Sequence, residues 1–301
     1  MRLPESASPE LSLGQRLRGW LPLLIMPIAV VGLAPAGWPR WAFMWILAAS
    51  ILFGFKWLTW RRRASQCAPL WRHLAYLIAW PGMDAEAFFD PNLHPPKPNT
   101  REWLLASGKL ALGLVLFFGL ARRAPPRHPY LLGWIGMIGI VMVLHFGAFH
   151  LLSCALRTAS VEARPLMDHP TASVRLGDFW GRRWNTAFRD LTHRFLFRPL
   201  TPLIGARGAL FAGFLISGLI HDAVISIPAA GGYGGPTLFF VLQALGLFAE
   251  RSRTGRRLGL GSGVRGWLFT MAVLILPAPM FFHRPFVTRI IVPFMRAAGA
   301  I

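Results

Sequence analysis

Cysteine is nearly absent from this chain of 301 residues. The two that occur are Cys67, near a basic loop, and Cys154, inside an apolar run. Their placement has no metal or redox spacing, so neither a disulfide framework nor a zinc site is expected. Acidic side chains are scarce too, 12 against 32 Lys and Arg, and lysine occurs only at positions 56, 97 and 109. No internal repeat is present, which excludes a solenoid or a duplicated transporter fold. The histidines are isolated and not gathered into motifs, which speaks against a membrane di-iron centre and leaves no metal expected. No polar tract is long enough to form a separate soluble domain.

What the chain has is apolar length. Hydrophobic residues make up 54% and charged residues only 15%, and the apolar residues form runs that a water-soluble core does not need. A spanning helix takes roughly 20 mostly apolar residues. Candidates are Trp20 to Pro35, Trp41 to Trp60, Trp103 to Leu120, Tyr130 to Leu156, Ala209 to Pro228, Pro236 to Glu250 and Trp267 to Phe282. A shorter stretch, Pro69 to Trp80, carries Arg72 and His73 and either lies in the interface or forms part of a span. The expected fold is therefore all-α and polytopic, one membrane-embedded domain over 1–301 with about seven or eight spans and a short tail, 1–19. The first apolar run lacks a small-residue cleavage site and reads as a retained helix.

The formal net charge of +20 is mostly arginine. In a soluble protein it would raise the question of nucleic acid; in a polytopic one it reports orientation, and no nucleic-acid partner is expected. Arginines cluster in the N-terminal tail, at Arg61 to Arg63, from Arg157 to Arg207 and from Arg251 to Arg257. Placing these in the cytoplasm puts the N-terminus and the 157–207 loop inside, with Arg122, Arg123 and Arg127 outside. Between the runs, Pro81 to Asn99 reads as an irregular surface loop and Gly231 to Gly235 as a flexible turn. GDFWGRRWNTAFRDLTHRF has a helical pattern opened by Asp178 as an N-cap. Its aromatic residues share one side and its arginines surround them, the pattern of an amphipathic helix on the cytoplasmic interface.

Ionisable groups inside a bilayer are costly and mark function by default. Lys109, His145, His150, His221 and Asp222 all fall within apolar runs. Lys56, near a helix end, is expected to snorkel. His221 is the most informative, because Ser217 and Gly218 lie about one turn before it and form a small polar face for a neighbouring helix or a ligand. A neutral imidazole there can act as general base toward a hydroxyl delivered from lipid. The plainer account of His221 is an interhelical hydrogen bond.

Two segments together resemble the wax-synthase-like branch of the membrane-bound O-acyltransferases. DFWGRRWN, Asp178 to Asn185, is similar to that family's FW-x-x-WN signature, and FLISGLIHD, Phe214 to Asp222, to its segment with the active-site histidine. WPGMD at Trp80 to Asp84 and FKWLTW at Phe55 to Trp60 also resemble it. The resemblance implies transfer of an acyl group from acyl-CoA to the hydroxyl of a long-chain alcohol or other lipid, with His221 as base and Asn185 as the second catalytic residue. It requires no cofactor or metal beyond acyl-CoA as co-substrate. Trp180, Trp184, Arg182 and Arg183 would then meet the acyl-CoA head group, with Asp178 and Ser217 completing the substrate-contacting set. The short form suggests a bacterial inner membrane. The competing readings are a transporter or lipid-binding protein with a polar path, and an anchoring protein that uses the tryptophan-rich segment only to bind membrane.

Overall fold

The computed structural model describes residues 13–63, 68–123, 125 and 127–301; residues 1–12 of the expected tail and Cys67 lie outside them. The described residues are helical, without strands. Two helices open the chain, α1 (Leu13–Leu33) and α2 (Arg40–Arg63). A short piece, α3 (Leu70–Leu74), is prolonged by a wide helical turn over Ala75–Ala79 and followed by α4 (Ala85–Phe89). Then come α5 (Thr100–Arg123), α6 (Pro129–Thr158), α7 (Thr186–Ala229), α8 (Gly235–Arg251) and α9 (Gly263–Phe281), before a run of short pieces that ends at Ala297.

Five helical stretches, Arg40–Arg62, Thr100–Arg123, Pro129–Thr158, Thr186–Ala229 and Gly263–Phe281, are long and apolar enough to cross a membrane. Leu52, Val115, Ile138, Leu219 and Leu276 stay exposed on them, as lipid-facing side chains do. The protein is thus an all-α, polytopic integral membrane protein. The expectation of seven or eight spans is not matched helix for helix. The apolar part of α1 is the shorter stretch Arg18–Leu33. α8 has 17 residues, roughly 26 Å at the helical rise, against a hydrocarbon layer of roughly 30 Å. The Pro69 to Trp80 stretch forms only α3 and its wide turn, too short to span.

The helix ends gather at two poles. At one, Arg40 donates to the Pro228 and Ala229 carbonyls (3.4 and 3.0 Å). Arg289 reaches Ala229 and Ala230 there (3.1 and 2.9 Å), and Arg122 reaches Ala300 (3.0 Å). At the other pole Arg157 donates to Pro96 (3.2 Å) and Arg175 to Gly261 (2.8 Å). Arg122 therefore lies at the pole opposite the connection between α6 and α7.

Two expectations fail at that second pole. Pro81 to Asn99 is not a plain surface loop: Asp84 caps α4, and Ala85, Phe88 and Phe89 are buried. They pack with Tyr76, Trp80, Val161, Leu166 and Leu191 in one apolar cluster. Lys56 does not snorkel. It is buried, donates to the Gly82 carbonyl at 2.5 Å and lies against the Tyr76 ring. The WPGMD segment folds over the end of α2 and supplies the acceptor that water would otherwise provide, because a buried ammonium needs a partner.

α5 and α6 meet at backbone distance. A Cβ on Gly113 would come 2.6 Å from the Val143 nitrogen, and one on Gly147 2.7 Å from the Leu110 Cα, whereas one on Gly108 would meet nothing within 4 Å. Gly113→Leu and Gly147→Leu are expected to cost about 1–3 kcal/mol each through overpacking. Gly108→Ala should be neutral or stabilising, since it removes a glycine from a helix interior. Thermal midpoints in detergent that order the three otherwise would refute the contact.

Candidate active site

The segment read as one amphipathic helix is two. Leu176–Asp178 and a wide turn over Phe179–Arg183 form the first piece, and α7 begins at Thr186. Between them Asn185 has left-handed backbone angles (φ 42°, ψ 63°), a conformation that asparagine tolerates better than most residues. The break is held by backbone pairing to the strap before it. Asp168 N–H donates to the Arg183 carbonyl (2.9 Å) and Thr186 N–H to the Leu166 carbonyl (3.1 Å). Asn185, and not Asp178, is the N-cap: its Oδ1 accepts from Phe188 N–H at 3.3 Å. That leaves the Asn185 amide NH₂ without a partner among the described residues.

Asp178 lies inside the first piece, where both carboxylate oxygens are occupied, one by Arg182 Nε and the other by Arg183 Nε, each at 2.6 Å. Partial burial pushes its pKa up, but the hydrogen bonds from Arg183 and Arg182 outweigh this and hold it below the ordinary carboxylate value. The same pairing raises Arg183.

α7 is bent at Gly205 (φ 71°, ψ 164°). Beyond the bend, Ala209, Gly213, Ser217 and His221 follow one another every four residues and so share a helix face. All four line a cavity of about 220 Å³ together with Asn185, Trp180, Trp184, Phe188 and Phe240. The His221 ring is boxed by Phe188, Phe240 and Phe281, with centroids 6.1, 4.8 and 5.3 Å away. Its Nδ1 lies 2.7 Å from the Ser217 carbonyl oxygen. A carbonyl only accepts, so Nδ1 carries the proton and Nε2 presents a lone pair. No described residue bonds Nε2. Ser217 is buried, and its Oγ has no partner among the described residues.

Gly218, one position on, serves packing instead: a Cβ there would come 2.7 Å from the Thr237 Cα on α8. Asp222 pins the turn after α7, its Oδ2 accepting from Gly234 N–H (2.7 Å) and Thr237 Oγ1 (2.8 Å). Trp180 Nε1 donates to Gln243 Oε1 (3.4 Å), and Trp184 stacks on Phe179 with centroids 5.5 Å apart.

Of the residues singled out from sequence, His221, Asn185, Ser217, Trp180 and Trp184 share this cavity. Asp178 and Arg182 line a neighbouring recess, and Arg183 turns away toward the carbonyls of Asp168 and His169. Sequence reasoning missed Arg251 and Gly213, both on the cavity wall. Gly213 was findable, two turns before His221; Arg251 was read only as part of the orienting cluster from Arg251 to Arg257. Four other ionisable groups form a separate network in which His150 meets Glu102 (3.2 Å), Lys109 approaches His150 (3.5 Å) and Arg157 bonds Glu102. Glu102, His150 and Cys154 place ligand atoms within 4.8 Å of one another. Arg157 and Lys109 supply cations at that spot, which suits an internal charge network better than a bound metal.

The Asp178 pairs carry a pH signature. A depressed carboxyl contributes stability that is present above its unfolded pKa of about 3.9 and is lost as pH falls through the lower folded value. Asp178→Asn should therefore melt below the parent at neutral pH, and the two curves should converge in acid. A gap that persists unchanged at pH 3 would contradict this.

Residues 163–242 match the membrane bound O-acyl transferase family. The probable long-chain-alcohol O-fatty-acyltransferase 1 of Arabidopsis thaliana is 34% identical over 145 residues, 44% of this chain and 40% of that protein. The long-chain-alcohol O-fatty-acyltransferase of Simmondsia chinensis is 29% identical over 76 residues, covering 23% and 22%. Acyl-CoA--sterol O-acyltransferase 1 of Arabidopsis thaliana is 30% identical over 80 residues, covering 24% and 23%. The chain thus spans well under two thirds of these relatives: 40% and 39% of the first two long-chain-alcohol acyltransferases it matches. The matched region contains both Asn185 and His221, so the segment that supplies most of the cavity wall is similar to the membrane bound O-acyl transferase family and to proteins named long-chain-alcohol O-fatty-acyltransferases.

Proposed function

We propose that the protein transfers a fatty acyl group from acyl-CoA to the hydroxyl of a lipid-soluble, long-chain alcohol. The observation that carries the reading is the state of His221: Nδ1 is committed to the Ser217 carbonyl, Nε2 has no partner among the described residues, and the residue lines a cavity that Asn185 also lines. In the proposed reaction Nε2 takes the proton of the alcohol as its oxygen attacks the thioester carbonyl. The Asn185 NH₂ donates to the oxygen that becomes negative. Collapse of the adduct forms the ester and breaks the carbon–sulfur bond, and the imidazolium returns its proton to the departing thiolate. The aromatic box keeps water from competing for the acyl group.

The similarity to proteins named long-chain-alcohol O-fatty-acyltransferases supports the acceptor class. The arginine-rich pole, which holds the α6–α7 connection, is assigned to the cytoplasm on the positive-inside tendency, so a water-soluble donor meets the cavity from that side. The bacterial residence expected from the short form gains no support from the relatives, which are plant proteins.

Labelled acyl-CoA supplied to the purified protein with a panel of alcohols, sterol and diacylglycerol tests the reading. His221→Ala should lower turnover by about 10²-fold or more. Asn185→Asp keeps the cap oxygen but removes the donor, so it should fold like the parent and lose a comparable amount of kcat. Ester formation that survives His221→Ala would overturn the mechanism. No ester with any acceptor would favour a transporter or lipid-binding protein.

A further inference from the structure

A glycine inside a helix needs a reason, because it is among the poorest helix formers and alanine adopts the same backbone without strain. At several positions in these helices the reason is packing. A Cβ on Gly113 would come 2.6 Å from the Val143 nitrogen, one on Gly147 2.7 Å from the Leu110 Cα and one on Gly218 2.7 Å from the Thr237 Cα. Gly213 has no such reason. It lies inside α7, clear of the bend at Gly205, with no left-handed backbone angle. It is half-buried, and a Cβ there would meet nothing within 4 Å.

The open space is the transfer cavity. Gly213 lies on its wall with Ser217 and His221, and the four-residue spacing puts all three on one helix face, so a side chain at 213 would project where theirs do. One turn on, Ser217 is 3% exposed and its Oγ has no partner among the described residues, which marks this face as one that meets a ligand and not a neighbouring helix. Around Gly213 the wall is apolar, with Leu210, Phe214 and Leu247 on it. Gly181, on the wide turn before Asn185, lines the same cavity and is open in the same way. An apolar wall with unused width suits an alkyl body thicker than one chain.

We propose that Gly213 sets the girth of the alcohol that reaches His221, leaving room for an acceptor whose skeleton forks or carries a ring. The inference rests on the His221 cavity being the transfer site. Eight residues separate Gly213 from His221, roughly 12 Å along α7, so position 213 acts on the body of the acceptor and not on its reacting hydroxyl. A linear fatty acyl chain is a single polymethylene strand, and the clearance at Gly213 is surplus to it. A side chain at 213 would fill that surplus first and still leave passage for one strand.

The test compares hexadecanol with its branched isomer hexyldecanol, whose chain forks beside the carbinol, as acceptors for palmitoyl-CoA in the parent, Gly213→Ala and Gly213→Val. The parent should esterify both. Gly213→Ala should lower kcat/KM for the branched isomer roughly tenfold, and Gly213→Val by more, the usual scale for added carbons in an apolar pocket, with hexadecanol little changed. Gly213→Ala should melt at or above the parent's midpoint, because its Cβ enters open space in a helix interior; lost width is thereby separated from lost folding. A parent that rejects the branched isomer, equal losses on both alcohols, or no loss on either overturns the proposal. A raised KM for palmitoyl-CoA with both alcohols puts the donor over Gly213 and overturns it as well. If the parent forms no ester from either alcohol, the transfer reading fails by itself. Photolabelling by diazirine-bearing forms of the two alcohols then decides the girth: labelling by the branched form that weakens in Gly213→Val while the linear form is unaffected supports it, and equal labelling of parent and variant overturns it.

Discussion

A polar group carried into an apolar layer must find its partner within the protein, because hydrocarbon offers none. Much of this architecture follows from that requirement. Lys56 draws the Gly82 carbonyl over the end of α2, and Arg40 ties the start of α2 to the end of α7. Gln243 bridges Trp180 to the Val273 carbonyl (2.9 Å), and Glu250 anchors the piece that begins at Leu176. Each bond joins a helix to a connection or to another helix, so the polar groups act as the framework that sets the apolar helices in register. Satisfied internally, such groups are costly to disturb one at a time.

His221 and Ser217 depart from this rule, as do His145 Nδ1, Arg157 Nε, Ser173 Oγ and Asp222 Oδ1, but His221 and Ser217 do so together on the wall of one cavity. Imidazole Nε2 and Ser217 Oγ have no partner among the described residues, while nearby Gln243 has its amide committed at both ends. A substrate hydroxyl and carbonyl would complete both. Asn185 divides its amide between two duties, its oxygen closing the first turn of α7 and its nitrogen left to the cavity. A single residue thereby links the local fold to the chemistry, and its left-handed backbone is the bend that turns Trp184 and the amide inward.

The sequence made the membrane class, the two motifs and the pairing of Asn185 with His221 legible, because apolar length and motif order are properties of the linear chain. It hid what depends on contacts distant in sequence. The amphipathic pattern across Asp178 to Phe195 continues through the Trp184–Asn185 break, since hydrophobic periodicity does not register a backbone bend stabilised by Leu166 and Asp168. The burial of Lys56 and of Phe88 depends on a strap folding back, which no local signal announces. The exact span count turns on elements such as α8, whose 17 residues sit at the lower end of the length a spanning helix takes.

The cavity around His221 measures about 220 Å³, below the roughly 300–1,000 Å³ usual for sites that enclose a drug-sized ligand. On the proposed reading it holds the reacting carbonyl and hydroxyl and leaves most of both tails outside. Those tails then stay dissolved in the bilayer before, during and after transfer, and their burial adds little to binding by the protein. Chain-length preference would accordingly be governed by how each alcohol partitions into lipid, about 0.8 kcal/mol per methylene, so substrates should be compared by mole fraction in the membrane and not by bulk concentration.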